Sequence, residues 1–203
     1  TSTTGVTTTA NTTPITTTIT DNDTLDFSIT GSNTVAEGNT AAYTITLAGG
    51  TLASGESASV DIQLNDETTN AADHAALLTA IQTAVDADNN VTLAGNTLTF
   101  SPGTTAFTFN LNALNDAFAE GNEQFNIPLT NAQSTTGVDT SISTAVATTT
   151  ITDNDAVNFV LSADKTTANE GESITYTLTL GGDTLADNET ATIQIALTDE
   201  TTS

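Results

Sequence analysis

A stretch ending in acidic residues, Thr18-Ile19-Thr20-Asp21-Asn22-Asp23, returns 132 positions later as Thr150-Ile151-Thr152-Asp153-Asn154-Asp155. Upstream of each copy, Ser2-Thr3-Thr4-Gly5-Val6 matches Ser134-Thr135-Thr136-Gly137-Val138 at the same offset. Downstream, Ala36-Glu37-Gly38 matches Asn169-Glu170-Gly171, and Tyr43–Leu47 matches Tyr176–Leu180, both at an offset of 133. The change of one implies a single-residue insertion in the second copy. Self-similarity at a fixed period is the mark of an array of stacked units. The matches divide the chain into 1–23, the C-terminal end of a preceding unit; 24–155, a complete unit; and 156–203, the N-terminal part of the next. The expectation is a window on a longer tandem array, with adjacent repeats of the same chain as the first partners.

Inside the complete unit, apolar residues alternate with Thr, Asn or Gln: Tyr43/Ile45/Leu47, Val60/Ile62/Leu64, Phe107/Phe109/Leu111 and Phe125/Ile127/Leu129. A period of two places one side chain set on each face of a strand, so each strand is apolar on one side and polar on the other. The strands expected on this basis are 25–30, 40–47, 58–64, 97–100, 106–111, 124–129 and 145–152. Seven short half-buried strands predict an all-β fold, an immunoglobulin-like antiparallel β-sandwich without its disulfide, since the chain has no Cys. One segment breaks the pattern. Residues 70–85 carry Leu78, Ile81 and Val85 at helical spacing, with Asn70 as N-cap and Asp73 at the third helical position. A short inserted α-helix is expected there, packed across an open side of the sandwich. Gly95-Asn96 marks a turn after it, and Gly49-Gly50 and Gly181-Gly182 read as hairpin turns.

Charge narrows the partners. The chain carries 25 Asp and Glu against one basic residue, Lys165, for a formal charge of −24. Nothing in it would neutralise phosphates, which excludes nucleic acid, and an anionic membrane surface would repel it. No apolar run approaches the length of a membrane span, so direct membrane insertion through a helix is not expected. A cation is the natural partner. Four or five carboxylates gathered at one end of a sandwich repel one another unless a cation lies between them, and 24–155 contains no Lys or Arg to do so. Calcium takes six to eight hard oxygen ligands and suits such a site.

Three motifs carry a family resemblance. Ala36-Glu37-Gly38, the run Leu114-Asn115-Asp116-Ala117-Phe118-Ala119-Glu120-Gly121-Asn122-Glu123-Gln124-Phe125, and Ile151-Thr152-Asp153-Asn154-Asp155 resemble the signatures of Calx-beta domains in order and spacing. The inserted helix is similar to repeats of large type I-secreted (RTX-type) bacterial adhesins. The resemblance implies a calcium-binding β-sandwich in tandem repeats, with its metal cluster at one end. It implies metal ligands at Glu37, Asp116, Glu120, Asp153 and Asp155, with Asp73 as a further candidate in the loop after the third strand. By repetition it extends to Asp21 and Asp23 in the preceding unit and Glu170 in the next. Glu123 reads equally as a ligand or as the edge of a strand. Asn115 stands where the family often has a second Asp, and Asn154 interrupts the terminal acidic run, which implies fewer or weaker sites. Asp66 and Glu67 complete no motif and read as a solvated loop.

No catalytic constellation emerges. His74 is the single histidine, which makes neither a zinc site nor a triad, and its place on the stripe of Leu78 suggests packing. Paired carboxylates serve glycoside hydrolysis, but with no Trp and two Tyr the chain lacks a sugar-stacking platform. The expectation is therefore not an enzyme but a structural spacer in a calcium-stiffened adhesin or surface filament, extracellular, secreted or on a cell surface, where neighbouring copies could pair in a filament. The alternatives are an adhesin domain that grips a glycan or another surface, and a surface-layer protein.

Overall fold

The computed structural model describes residues 3–7, 9–20 and 22–198. In chain order the elements are β1 (Thr24–Gly31), β2 (Thr34–Ala36), β3 (Thr40–Ala48), β4 (Ala58–Ile62), β5 (Asn65–Asp66), α1 (Leu77–Ala87), β6 (Val91–Ala94), β7 (Thr97–Phe100), β8 (Ala106–Asn112), β9 (Phe118–Ala119), β10 (Glu123–Ser134), β11 (Asp139–Thr144), β12 (Val146–Thr152), β13 (Val157–Ala163), β14 (Tyr176–Gly182) and β15 (Thr184–Leu185). All seven expected strands are present.

Two sheets face each other across one core. The first has the order β11-β1-β3-β8; the second runs β2-β12-β10-β4-β7-β6, with β5 alongside β10. The alternation dictates which side chains meet. Leu25, Phe27 and Ile29 of β1, Tyr43, Ile45 and Leu47 of β3 and Phe107, Phe109 and Leu111 of β8 are buried against Val60, Ile62, Leu98, Phe100, Phe125, Ile127 and Leu129 of the second sheet. Phe27 and Phe100 touch edge to face across the sheets, with ring centroids 5.4 Å apart. Each such buried side chain contributes about 1.5–3 kcal/mol relative to exposure. The buried Tyr43 hydroxyl is satisfied, lying 2.5 Å from Thr149 Oγ1, which itself donates to Ser32 O at 2.6 Å. That chain of bonds ties β3 to β12 across the core.

The sandwich is antiparallel except at two edges. β11 lies parallel to β1, and β2 lies parallel to β12. Both exceptions arise where the chain changes sheets: β1 and β2 are separated by two residues yet belong to different sheets, as are β11 and β12 by one. The parallel β2–β12 pair sets Ala36 opposite Thr152 and so brings Glu37 beside Asp153.

Two local expectations are corrected. The helix is Leu77–Ala87, and its N-cap is Ala76, not Asn70. Asn70 instead closes a turn, with its Oδ1 accepting Ala72 N–H at 2.9 Å. The following residues are drawn onto β8: His74 bridges Ala113, and Ala75 N–H donates to Asn112 O at 2.9 Å. These bonds use backbone groups that a helix from residue 70 would need. The buried stripe is Leu77, Ile81 and Val85, while Leu78 is 43% exposed. The helix lies against β8 and β6, the edge strands of the two sheets on that side, and so covers the open side of the sandwich. The second correction concerns Gly49-Gly50, which form no hairpin, because β3 and β4 lie in different sheets. Gly49 has φ +93°, and a Cβ there would lie 1.9 Å from Thr24 O, so only glycine allows the chain to leave β3 at that point.

Residues 156–198 repeat the first pairing seen within 24–155. β13 and β14 set Phe159 opposite Leu180 and Leu161 opposite Leu178, as β1 and β3 set Phe27 opposite Leu47 and Ile29 opposite Ile45. The one-residue change of offset in the sequence is thus absorbed before β14. Between the two assemblies, β15 pairs in parallel with β9, setting Thr184 opposite Phe118 and Leu185 opposite Ala119.

Candidate metal centre

Three segments converge at one end of the sandwich. Glu37 follows β2 and is held by its N–H to Thr152 O at 3.1 Å. Gly38, at φ +73°, gives its N–H to Ala113 O and leaves room for Asn115, whose Oδ1 would lie 3.3 Å from a Cβ there. The second segment is the acidic loop from Leu114 to Asn122, between β8 and β10. Within it Asp116 Oδ1 accepts Phe118 N–H at 2.8 Å, an Asx turn that fixes the loop locally. The third is the tail of β12, where Asp153 Oδ1 accepts Asp155 N–H and Oδ2 accepts Glu120 N–H, both at 2.8 Å.

Carboxylate oxygens gather in two groups. Glu37, Asp153 and Asp155 each offer an oxygen within 4.8 Å of the others, and so do Asp73, Glu120 and Glu123. Asp116 belongs to neither triplet but acts electrostatically on both. Glu37 and Asp73 are buried, at 6% and 7% exposure. Burial, followed by the charges of Asp116, Asp153, Asp155 and Glu120, pushes the Glu37 carboxyl up to about 7. Glu123 is raised as well, by burial first and then by its hydrogen bond to Asp73 and the surrounding charge. Burial and the charges of Asp116, Asp73, Asp153 and Glu189 raise Glu120; burial and the charge of Asp183 head the causes that raise Asp155. Every shift has the sign expected of carboxylates crowded without a cation.

Two buried oxygens, Glu37 Oε2 and Asp155 Oδ2, have no hydrogen-bond partner. A buried carboxylate oxygen without a donor is costly. The donor set contains carboxylates, backbone carbonyls and Asn side chains but no nitrogen or sulfur ligand, the chemistry of a hard divalent cation. The residues therefore fit calcium.

Of the residues singled out from the sequence, Glu37, Asp153 and Asp155 meet in one group, Asp73 and Glu120 in the other, and Asp116 lies between β8 and β9 in the same loop as Glu120. Asp73 sits in the turn before α1 rather than inside a helix, and its backbone O accepts Leu114 N–H at 2.8 Å. Glu123, left open on sequence grounds, completes the second group from the first position of β10. Asp23, just before β1, and the exposed Glu170 join neither group, and Asp21 lies outside the described residues. Asn154 and Asn115 have a role that the sequence did not signal. Asn154 Nδ2 donates to Asn115 Oδ1 at 2.7 Å and to Glu37 O at 3.2 Å, so the two amides clamp all three segments together.

Asp66 and His74 are also corrected. Asp66 and Glu67 are exposed, as expected, but Asp66 lies in β5 rather than a loop and is held: its Oδ1 accepts from Thr69 Oγ1 and lies 2.8 Å from His74 Nε2, while Glu67 accepts from Asn126 Nδ2. His74 is buried outside the helix, its ring 5.3 Å from that of Phe125. It packs, as expected, but on the sheet and not on a helical stripe.

The geometry and the motifs agree with the comparison to known families. The profile of the Calx-beta domain matches residues 39–155, more than half of the chain. The chain belongs to the Calx-beta family. Among solved structures it is similar to the apo-form Calx CBD1 domain, at 21% identity over 64% of this chain and 98% of that one, with a TM-score of 0.45. It is also similar to the calcium binding domain CBD12 of CALX1.1, at 21% identity over 66% of this chain and 49% of that one, TM-score 0.44. The figures for CBD12 from CALX1.2 are 22%, 67%, 48% and 0.43. The chain spans about half the length of the two CBD12 structures. A search among curated protein sequences finds no match.

Proposed function

We propose that this chain is a spacer segment of a calcium-stiffened extracellular adhesin or surface filament. Its ligands are Glu37, Asp153 and Asp155 around one position and Asp73, Glu120 and Glu123 around the other, with the charge of Asp116 acting on both. The observation that carries this reading is the pair of buried, partnerless oxygens, Glu37 Oε2 and Asp155 Oδ2, within a cluster that has no basic residue to balance it. Calcium, when bound, would supply the missing positive charge. The protein's own part is to hold three segments in register, through the β2–β12 pair, the Asp153–Glu120 bond and the Asn154–Asn115 clamp.

A weak site is the affinity this reading expects of an extracellular module. Both Asp153 oxygens already accept backbone N–H groups, and two positions of the motif are amides. A lowered ligand charge moves a calcium site toward the weak end, roughly 10⁻⁴–10⁻³ M, where extracellular modules work. The mechanical role follows from the joint. β12 ends at Thr152 and β13 begins at Val157, so only four residues separate them, too few for a flexible linker. Two of the four, Asp153 and Asp155, are proposed ligands. Filling the site would fix the joint, and emptying it would set like charges against each other there. Small-angle scattering on a chain of three or more complete units tests this. A rod with calcium that becomes more compact and flexible in chelator supports the reading; an unchanged maximum dimension and cross-section would sink it.

A further inference from the structure

The joint carries a second feature besides the acidic cluster. Thr184 N–H donates to Ala117 O at 3.2 Å and Ala186 N–H to Ala119 O at 3.3 Å, so the edge Thr184–Ala186 adds as a strand to the acidic loop of the complete unit. Asp183 closes the same corner: its N–H donates to Ala156 O and its Oδ2 accepts Ala156 N–H, both at 3.0 Å. The segment is a repeated one. Thr184-Leu185-Ala186 is Thr51-Leu52-Ala53 again, at the offset of 133, and each is followed by the same turn, Glu189 N–H to Ala186 O and Glu56 N–H to Ala53 O.

The two copies differ in one respect. Ala186 N–H goes to the neighbouring loop, whereas Ala53 N–H goes to the side chain of Glu56, at 2.7 Å. Thr51–Ala53 pairs with no strand among the described residues. Glu56 thus occupies the donor that, in the other copy, serves the joint.

We propose that Thr51–Ala53 is a docking edge for the acidic loop of a unit standing before this one, and that Glu56 caps the edge while it is free. Successive units then join by strand addition: the Ala-Phe-Ala stretch of each loop, here Ala117–Ala119, takes the Thr-Leu-Ala edge of its successor. Backbone pairing supplies the contact and is insensitive to most side chains, so one device serves every joint of an array. The joints need not be equal. Asp183 is replaced by Gly50 at the corresponding corner, so no side chain there can accept a bond like that from Ala156 N–H, the residue before β13. The inference rests on the array reading but not on the metal.

The test uses the full chain extended at its N-terminus by a second copy of residues 24–132, which by the repeat offset completes a unit ahead of Thr1. The chain has no Cys, so introduced pairs are unique. Neighbouring strands lie about 4.8 Å apart, within the span of a disulfide. Phe118→Cys with Thr184→Cys in the unextended chain reports the paired joint. Phe118→Cys in the added copy with Thr51→Cys reports the proposed one. The expected result is that both pairs close on mild oxidation, and that Ala53→Pro, which removes the donor, abolishes closure of the second. Closure of the second pair no faster than that of a control with Thr92→Cys on β6 would overturn the proposal. Calcium binding by the extended chain is read separately by calorimetry, so failure of the docking edge is distinguishable from failure of the metal site.

Discussion

Asp153 Oδ2 accepts the backbone N–H of Glu120 at 2.8 Å, joining the tail of the last sandwich strand to a loop 33 residues earlier. Its other oxygen accepts Asp155 N–H. One carboxylate therefore positions two further acids and contributes its own charge to the same place. A side chain with that double role separates structure from metal binding in mutagenesis. Asp153→Asn keeps an acceptor oxygen but loses charge, whereas Asp153→Ala loses both bonds and destabilises the protein in chelator as well as in calcium.

Calcium should raise the melting temperature. A ligand held only by the folded state stabilises by RT ln(1 + [L]/Kd), about 2.7 kcal/mol at a hundredfold excess over Kd. The double variant Asp116→Asn/Asp153→Asn should show most of that loss without chelator, measured by scanning calorimetry with and without EDTA. Identical curves for the native chain in the two conditions would rule out a stabilising ion.

The pH dependence of the metal-free protein follows from Glu37. Its folded carboxyl titrates at about 7, raised from 4.5, so the folded state keeps a proton that the unfolded chain releases. That contribution is fully present below 4.5 and is lost as pH rises through 7. Glu120 and Glu123 act in the same sense. Asp26 acts oppositely, held low by Ser141 and Ser143, so its contribution fails only in acid. In chelator the protein should melt at a higher temperature at pH 5 than at pH 8. Glu37→Gln should flatten that difference and raise the pH 8 value; a melting temperature that rises from pH 5 to pH 8 would contradict the crowding of these acids.

The helix offers a test independent of metal. Ile81 is fully buried on the inner face of α1, and Ile81→Ala should cost about 2–5 kcal/mol. Leu78, one turn earlier on the exposed side, should change stability by no more than about 0.5 kcal/mol when replaced by Ala. Urea unfolding of both variants checks the assignment. Equal losses would put both residues on the buried face.

Much of this architecture was legible because burial of one strand face leaves a period of two in the sequence. Phe107/Phe109/Leu111 and Phe125/Ile127/Leu129 place their strands and orient them toward the core. Short or edge elements left little trace: β5 has two residues, both exposed, and the edge strand β11 has no fully buried side chain, only half-buried ones such as Ile142. Asn70 and Asp73 have N-cap chemistry and so point to a helix start at 70, and only pairing with the end of β8, remote in sequence, reveals that residues 74 and 75 belong to a sheet edge. The acidic positions were visible as motifs. Their division into two groups was not, since it depends on the turn that presents Asp73 and on the register that places Glu123 at the start of β10. The Asn154–Asn115 clamp is hidden for the same reason: two amides within acidic motifs read as lost charge until their mutual hydrogen bond is seen.

Calcium titration of the metal-free chain at pH 7.5, followed by isothermal calorimetry, tests the central claim most directly. The account predicts saturable binding at two positions, the first lost in the Glu37→Gln/Asp153→Asn variant and the second weakened in Glu123→Gln. An absence of saturable binding by the native chain at millimolar calcium, or binding unchanged in the double variant, would contradict it.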